Sequence, residues 1–389
     1  NGGADLGVDT DNGAVRFGTY LENTTLVEAG TGTSRATLND SLNISNVSTE
    51  IDLLVESTAN AFVDIYFYNG FSLDEADLTI AGSANGTAYT VFRGGQTIDG
   101  TGSIVLSDEN GIGTTLTNNR LRFDQVASDQ AETFTVGEDV VITGKGRVEG
   151  SLGADDRIDI QGSVIADDGE LEFLFNLGET NGTFGATADG VFEYRFDLEL
   201  SDEATLSIGV DAAGAGLVQI INSGSMLTQN GTLALDVAAG ATDGLVLGDE
   251  FQIVTTSAGL VGTFDTLTGF DTAGTGGFAL IEDGNNLSIR FVADADVGQV
   301  FTRDEVGAAN DNNALPADNA SAPAAFEVVD EVTDLNAGST PSGEDFTLDP
   351  AINPALAAPS DEEDSSGDSP IADGLQEPTV FDDAIEIGA

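Results

Sequence analysis

No proline occurs in this chain before Pro316, and all eight of its prolines fall between there and Pro378. Proline lacks a backbone donor, so it is kept out of sheet interiors and tolerated at edges and in linkers. Its absence from residues 1–303 leaves that segment free to form continuous sheet. Other properties change at the same point. Every basic residue lies at or before Arg303, whereas residues 304–389 hold 21 acidic residues and no basic one, and 43 of the 49 glycines lie in 1–303. Two physically different segments are therefore joined near residue 303.

Within residues 1–303, short β-type runs (51–55, 62–68, 88–92, 103–106, 120–123, 140–143, 170–175, 192–200, 204–210, 232–237, 251–255 and 287–292) alternate with turn pairs. Asn69-Gly70, Asn85-Gly86, Asp99-Gly100, Asp168-Gly169, Asn181-Gly182, Asn230-Gly231 and Asp283-Gly284 are examples. Such pairs accept positive φ and reverse or bend the chain. No window carries apolar residues at helical spacing together with caps. The segment reads as all-β.

Repetition selects the architecture. Gly95-Gln96-Thr97-Ile98-Asp99-Gly100-Thr101-Gly102-Ser103-Ile104-Val105-Leu106 sets a short strand, a glycine corner and a second strand in succession. The stretches from Phe134 to Val148 and from Asp159 to Leu171 do the same. These stretches resemble the coils of bacterial surface β-helix proteins, the autotransporter passengers and filamentous-haemagglutinin-like adhesins. A second likeness runs from Asn230 to Val292, where Gly231-Thr232-Leu233-Ala234-Leu235, Gly248-Asp249-Glu250-Phe251-Gln252-Ile253, Gly262-Thr263-Phe264 and Asn286-Leu287-Ser288-Ile289 follow the order of those passengers' closing module. The resemblance implies a right-handed parallel β-solenoid (β-helix) of about 20–25 residues per coil and roughly a dozen coils. Residues 1–169 are then solenoid coils, and 170–303 their continuation and closing module. The longer runs in 170–210 suit a hairpin insertion. Residues 304–389 form an acidic Ala/Asp/Pro-rich tail outside the solenoid. A β-sandwich array is the alternative fold.

Composition bounds the chemistry. The 68 acidic and 11 basic residues give a formal charge of −57, yet 40% of the residues are hydrophobic, enough to build a core. So negative a chain repels nucleic-acid phosphates and anionic lipid headgroups, which argues against nucleic-acid and membrane-surface binding. Membrane insertion is not expected, because no run of about 18 apolar residues occurs in the sequence. With no cysteine there are no disulfides, thiolate metal sites or thiol nucleophiles, and with no histidine there is no Ser-His-Asp triad. The charge fits either solubility in saline surroundings or cation binding, with Ca2+ as the natural partner of carboxylates. Asp9 and Asp11, in Asp9-Thr10-Asp11-Asn12-Gly13, are the candidate calcium ligands; Asp155-Asp156, Asp167-Asp168 and Asp294/Asp296 are further acidic pairs. Arg120, Arg122, Arg147 and Arg157 read as surface partners of the surplus carboxylates, with one shared basic face as the alternative. Tyr66, Phe67, Tyr68 and Phe71 read as core stacking, with a carbohydrate-contacting strip as the alternative.

The chain opens at Asn1 without a signal-type apolar stretch, and reads as an exported mature form with its signal peptide removed. The expected role is structural, not enzymatic. It is that of an extracellular bacterial protein assembling with itself into a surface fibre, sheath or matrix, with surface glycans as a further partner class. The terminal strand-like residues Val380, Phe381, Ile385 and Ile387 would complete a neighbour's sheet. The alternatives are a monomeric autotransporter-type adhesin and a polysaccharide-acting β-helix enzyme.

Overall fold

A computed structural model describes residues 4–8, 20–28, 35–38, 40–58, 61–83, 85–107, 118–126, 131–153, 156–272 and 276–306. All of them belong to the first of the chain's two units, residues 1–330; the second, 331–389, lies outside the described residues. The structure is all-β, with one short 3-10 turn at Asp294–Asp296 and a brief helical stretch at 303–306.

The dominant contact is parallel pairing between strands of successive layers. The long strands bend and so contribute to more than one wall. Phe62–Ala81 pairs along its first part with Leu42–Thr49 and Thr87–Arg93, and along its second with Thr97–Ser107. Three walls follow. The first contains 20–22, 42–45, 62–68, 87–93, 119–124, 146–151, 170–173, 191–194, 217–220 and 254–256. The second begins with Ala4–Val8 and descends through 24–28, 47–49, 71–74, 97–98, 135–136 and Arg157–Ile160. The third runs from Arg35–Leu38 through 52–56, 77–81, 103–107, 140–144, 163–166, 183–186, 205–210 and 232–237 to Thr266–Thr268.

Parallel pairing puts like positions on top of one another, and alternation along each strand sends every second side chain inward. One inward column of the third wall is Ala36, Leu53, Leu78, Ile104, Ile142, Val164, Phe184, Leu206, Leu233 and Leu267. All but Leu267 are fully buried. On the first wall Ile44, Phe67, Phe92 and Phe123 stack likewise. The Phe67 and Phe92 ring centroids lie 4.8 Å apart, and those of Phe92 and Phe123 5.9 Å apart. These distances track the spacing of about 4.8 Å between paired strands, so the aromatic stack follows directly from the ladder.

The bends need unusual backbone. Asn23, Asn46 and Asn69 occupy successive corners between the first and second walls, each with positive φ (50°, 51° and 59°). Asparagine tolerates that conformation better than most residues. The Asn46 amide donates to Asn23 Oδ1 at 2.7 Å, and Asn69 donates to Ser45 Oγ at 3.0 Å. Asn23 and Asn46 lie in glycosylation-type sequons, but the ladder gives their side chains a structural use. At Gly144 (φ +101°) a Cβ would stand 2.0 Å from the Leu106 carbonyl oxygen, so the layers could not close up.

Three findings depart from the sequence reading. The layer step is not fixed: it ranges from 17 residues between Arg35 and Asp52 to 38 between Thr97 and Thr135, because the segments joining successive layers differ in length. Residues 170–210 form no hairpin; they pair in parallel with the layers on either side. The antiparallel hairpin lies instead at the C-terminal end of the stack, where Gly277–Asp283 pairs with Asn286–Val292, which also runs antiparallel to Glu250–Thr256. A small second core of Ala279, Ile281, Val292, Phe301 and Val306 lies in this terminal segment.

Phe92→Ala is expected to lower the unfolding free energy by about 3–5 kcal/mol, since the stacked ring leaves a cavity between two fixed layers. Gly144→Ala should also destabilise. Chemical denaturation followed by the far-ultraviolet β signal checks both, and wild-type midpoints would contradict this account of the stack.

Candidate functional site: a tyrosine–arginine face

The outward side of the first wall is unlike the rest of the chain. Tyr20, Asn43, Tyr66, Val91, Arg122 and Glu149 form one outward column. Beside it run Asp64, Tyr89, Arg120, Arg147, Glu172 and Glu193. On the other side lie Glu22, Ser45, Tyr68, Arg93, Asp124 and Ser151. Four of the chain's five tyrosines and four of its eleven basic residues therefore share one surface.

These side chains pack on each other. The Arg93 guanidinium lies 4.4 Å from the Tyr66 ring centre, and Arg120 and Arg122 lie 5.2 and 6.0 Å from that of Tyr89. Cation–π contacts of this kind contribute about 0.5–1 kcal/mol each at exposed sites. The layer covers Val91, which faces outward yet is only 3% exposed. Burial raises the Tyr66 pKa, with the neighbouring Asp64 charge adding to the effect.

The charges are matched in place. Arg120 donates to Glu149 at 2.8 Å and Arg122 to Asp124 at 3.1 Å. Glu172, whose side chain is 2% exposed, lies between Arg147 and Arg195. Arg147 Nε donates to its Oε2 at 2.5 Å, while Arg195 approaches Oε1 as an ion pair without hydrogen-bond alignment. A buried carboxylate stripped of such partners is strongly destabilising, so both arginines are structural here. Glu193, stacked on Glu172, has its pKa raised by burial first and by the Glu170 and Glu172 charges next.

The four arginines read from the sequence divide accordingly. Arg120, Arg122 and Arg147 share the first wall, whereas Arg157 stands on the second. There it rims a cleft of about 860 Å³ with Asp156, Phe175, Leu177 and Phe196. The cleft lies where the second wall is interrupted: no pairing joins Arg157–Ile160 to Glu179–Thr180 among the described residues, and a separate four-stranded sheet begins there. Of the aromatic cluster, Phe67 and Phe71 belong to the core and Tyr66 and Tyr68 to the outer face, since successive strand residues point opposite ways.

The acidic pairs are occupied structurally where they are described. Asp156 accepts from the Glu132 and Gly153 amides, Asp167 from Thr187, and Asp294 from the Gly276 amide, while Asp168 pairs with Lys145 at a corner. No group of three or more acidic residues able to hold a metal is found among the described residues. The calcium candidates Asp9 and Asp11, and the assembly candidates Val380, Phe381, Ile385 and Ile387, lie outside the described residues. No described helix is long and apolar enough to cross a membrane.

Comparison with protein-family models gives no match, and comparison with curated proteins gives none either.

Because the folded wall raises the Glu193 pKa, it holds that proton more tightly than the unfolded chain does. Near pH 4 both states are largely protonated and the residue contributes little. As pH climbs through the raised value, the charged form weighs against the fold. Glu193→Gln should therefore melt above wild type at pH 7, with the gap closing near pH 4. A gap that widens on acidification would contradict the assignment.

Proposed function

We propose that the chain is an exported structural protein of a bacterial surface or extracellular matrix, built as a right-handed parallel β-solenoid and not an enzyme. The observation carrying this reading is the three-walled parallel stack with its apolar columns, which makes a stiff body held together layer by layer. The right hand follows from the strong preference of parallel crossovers for it. The −57 charge suits a saline exterior, where counterions screen self-repulsion.

Two forms of this protein are in play, a self-assembling fibre and a single displayed rod. The C-terminal hairpin favours the rod. Asn286–Val292 covers the edge of Glu250–Thr256 in antiparallel sense, so a second copy has no parallel edge to continue on that wall. Assembly into a fibre would then depend on the flanks or on Val380, Phe381, Ile385 and Ile387.

Light scattering after size exclusion and negative-stain microscopy, in low and high salt, test the choice. Single particles of monomer mass are expected in both. Regular filaments would sink the rod form, and their loss on deleting residues 376–389 would assign assembly to the terminal segment.

A further inference from the structure

We infer that the outer face of the first wall, in its N-terminal layers, is a binding platform for a neutral linear polysaccharide. Five aromatic side chains stand there on rigid strand: Tyr20, Phe62, Tyr66, Tyr68 and Tyr89. Tyr20 and Phe62 project furthest, at 54% and 71% exposure, and Phe62 is the most exposed large apolar residue among those described. Every other phenylalanine among the described residues is buried in a core or packed against one. A ring held out in water on a strand whose alternate residues are fully buried loses apolar burial, and a ligand with an apolar face restores it.

Charge selects the class of ligand. In a chain of net −57, this surface carries Arg93, Arg120, Arg122 and Arg147 against Glu22, Asp64, Asp124, Glu149, Glu172 and Glu193, so it has no positive excess. Arg120, Arg122 and Arg147 are engaged by carboxylates, and Arg93 stacks on Tyr66. A polyanion would approach against the field of the whole molecule and compete with the carboxylates already paired to Arg120, Arg122 and Arg147. An uncharged glycan meets no such barrier.

The geometry suits a sugar polymer. A pyranose ring has a C–H face that lies on an aromatic ring and hydroxyls around its edge. Asn43 lies between Tyr20 and Tyr66 in their column, and Asp64 lies beside Tyr66 and opposite Tyr89. Layers about 4.8 Å apart repeat on the scale of one sugar unit in an extended chain. Because the rings sit on strands and not on loops, little ordering entropy opposes binding. This inference goes beyond the structural role and does not depend on whether the protein is a rod or a fibre.

Native affinity electrophoresis of the full chain tests it, with hydroxyethylcellulose, konjac glucomannan or a linear β-1,3-glucan cast in the gel, and alginate as the anionic arm. At least one neutral polymer should retard the wild type, and Tyr20→Ala/Phe62→Ala should weaken that retardation at least tenfold. Both residues are exposed, so the melting midpoint should hold; it is measured alongside. Val261→Ala, at an exposed position in the separate four-stranded sheet, should bind as wild type. The inference is overturned by no retardation in any neutral polymer, by equal retardation of the double variant, or by stronger retardation in alginate.

Discussion

Parallel backbone pairing between one layer and the next is the constraint from which the rest of this structure follows. Each strand must lie in register on the one before it, about 4.8 Å away, so a residue cannot choose its neighbours independently of its position. Inside, this produces columns such as Leu53, Leu78, Ile104 and Ile142, and the phenylalanine stack from Phe67 to Phe123. At the corners it produces the asparagine series Asn23, Asn46 and Asn69, where one conformational problem recurs and the same residue type solves it.

The same rule creates difficulty outside. Stacking puts Arg120 on Arg147 and Glu172 on Glu193, which are unfavourable pairs taken alone. The wall offsets them: Glu149 reaches Arg120 from the neighbouring column, while Arg147, in the same column, and Arg195 enclose Glu172. Glu193 is left with less compensation, which is why its proton is held more tightly. At the C-terminal end, burial alone would raise the Glu250 pKa, but the hydrogen-bonded Arg303 guanidinium reverses the sign and holds it below the ordinary glutamate range. That pair ties the last described residues to Glu250–Thr256, the last parallel strand of the first wall, beside the hairpin that ends the stack.

Much of the local structure was legible in sequence. The proline-free segment, the Asn-Gly and Asp-Gly pairs and the alternation in runs such as Val63-Asp64-Ile65-Tyr66-Phe67 all pointed to strands with one face buried. The split of Tyr66 from Phe67 was readable from that alternation as well, although grouping both with the core obscured it. The tyrosine–arginine face was not readable. Its central column, Tyr20, Asn43, Tyr66, Val91, Arg122 and Glu149, advances in steps of 23, 23, 25, 31 and 27 residues. The segments between paired strands differ in length, and longer connections cost little, so no fixed period survives in the sequence.

The sequence by itself determined that this is a β protein whose strands bend at glycine and asparagine, and that most of its surface is acidic. Those properties are local: they depend on which residues lack a donor, accept positive φ or alternate in polarity. Only the tertiary structure decided which residues became neighbours. Layer register brings Arg122, at a distance in sequence, onto the tyrosine-bearing surface, while Arg157, much like it in sequence, goes to a different wall. Register is set by how whole layers fit over one another, a sum over many weak contacts that no short stretch of the chain contains.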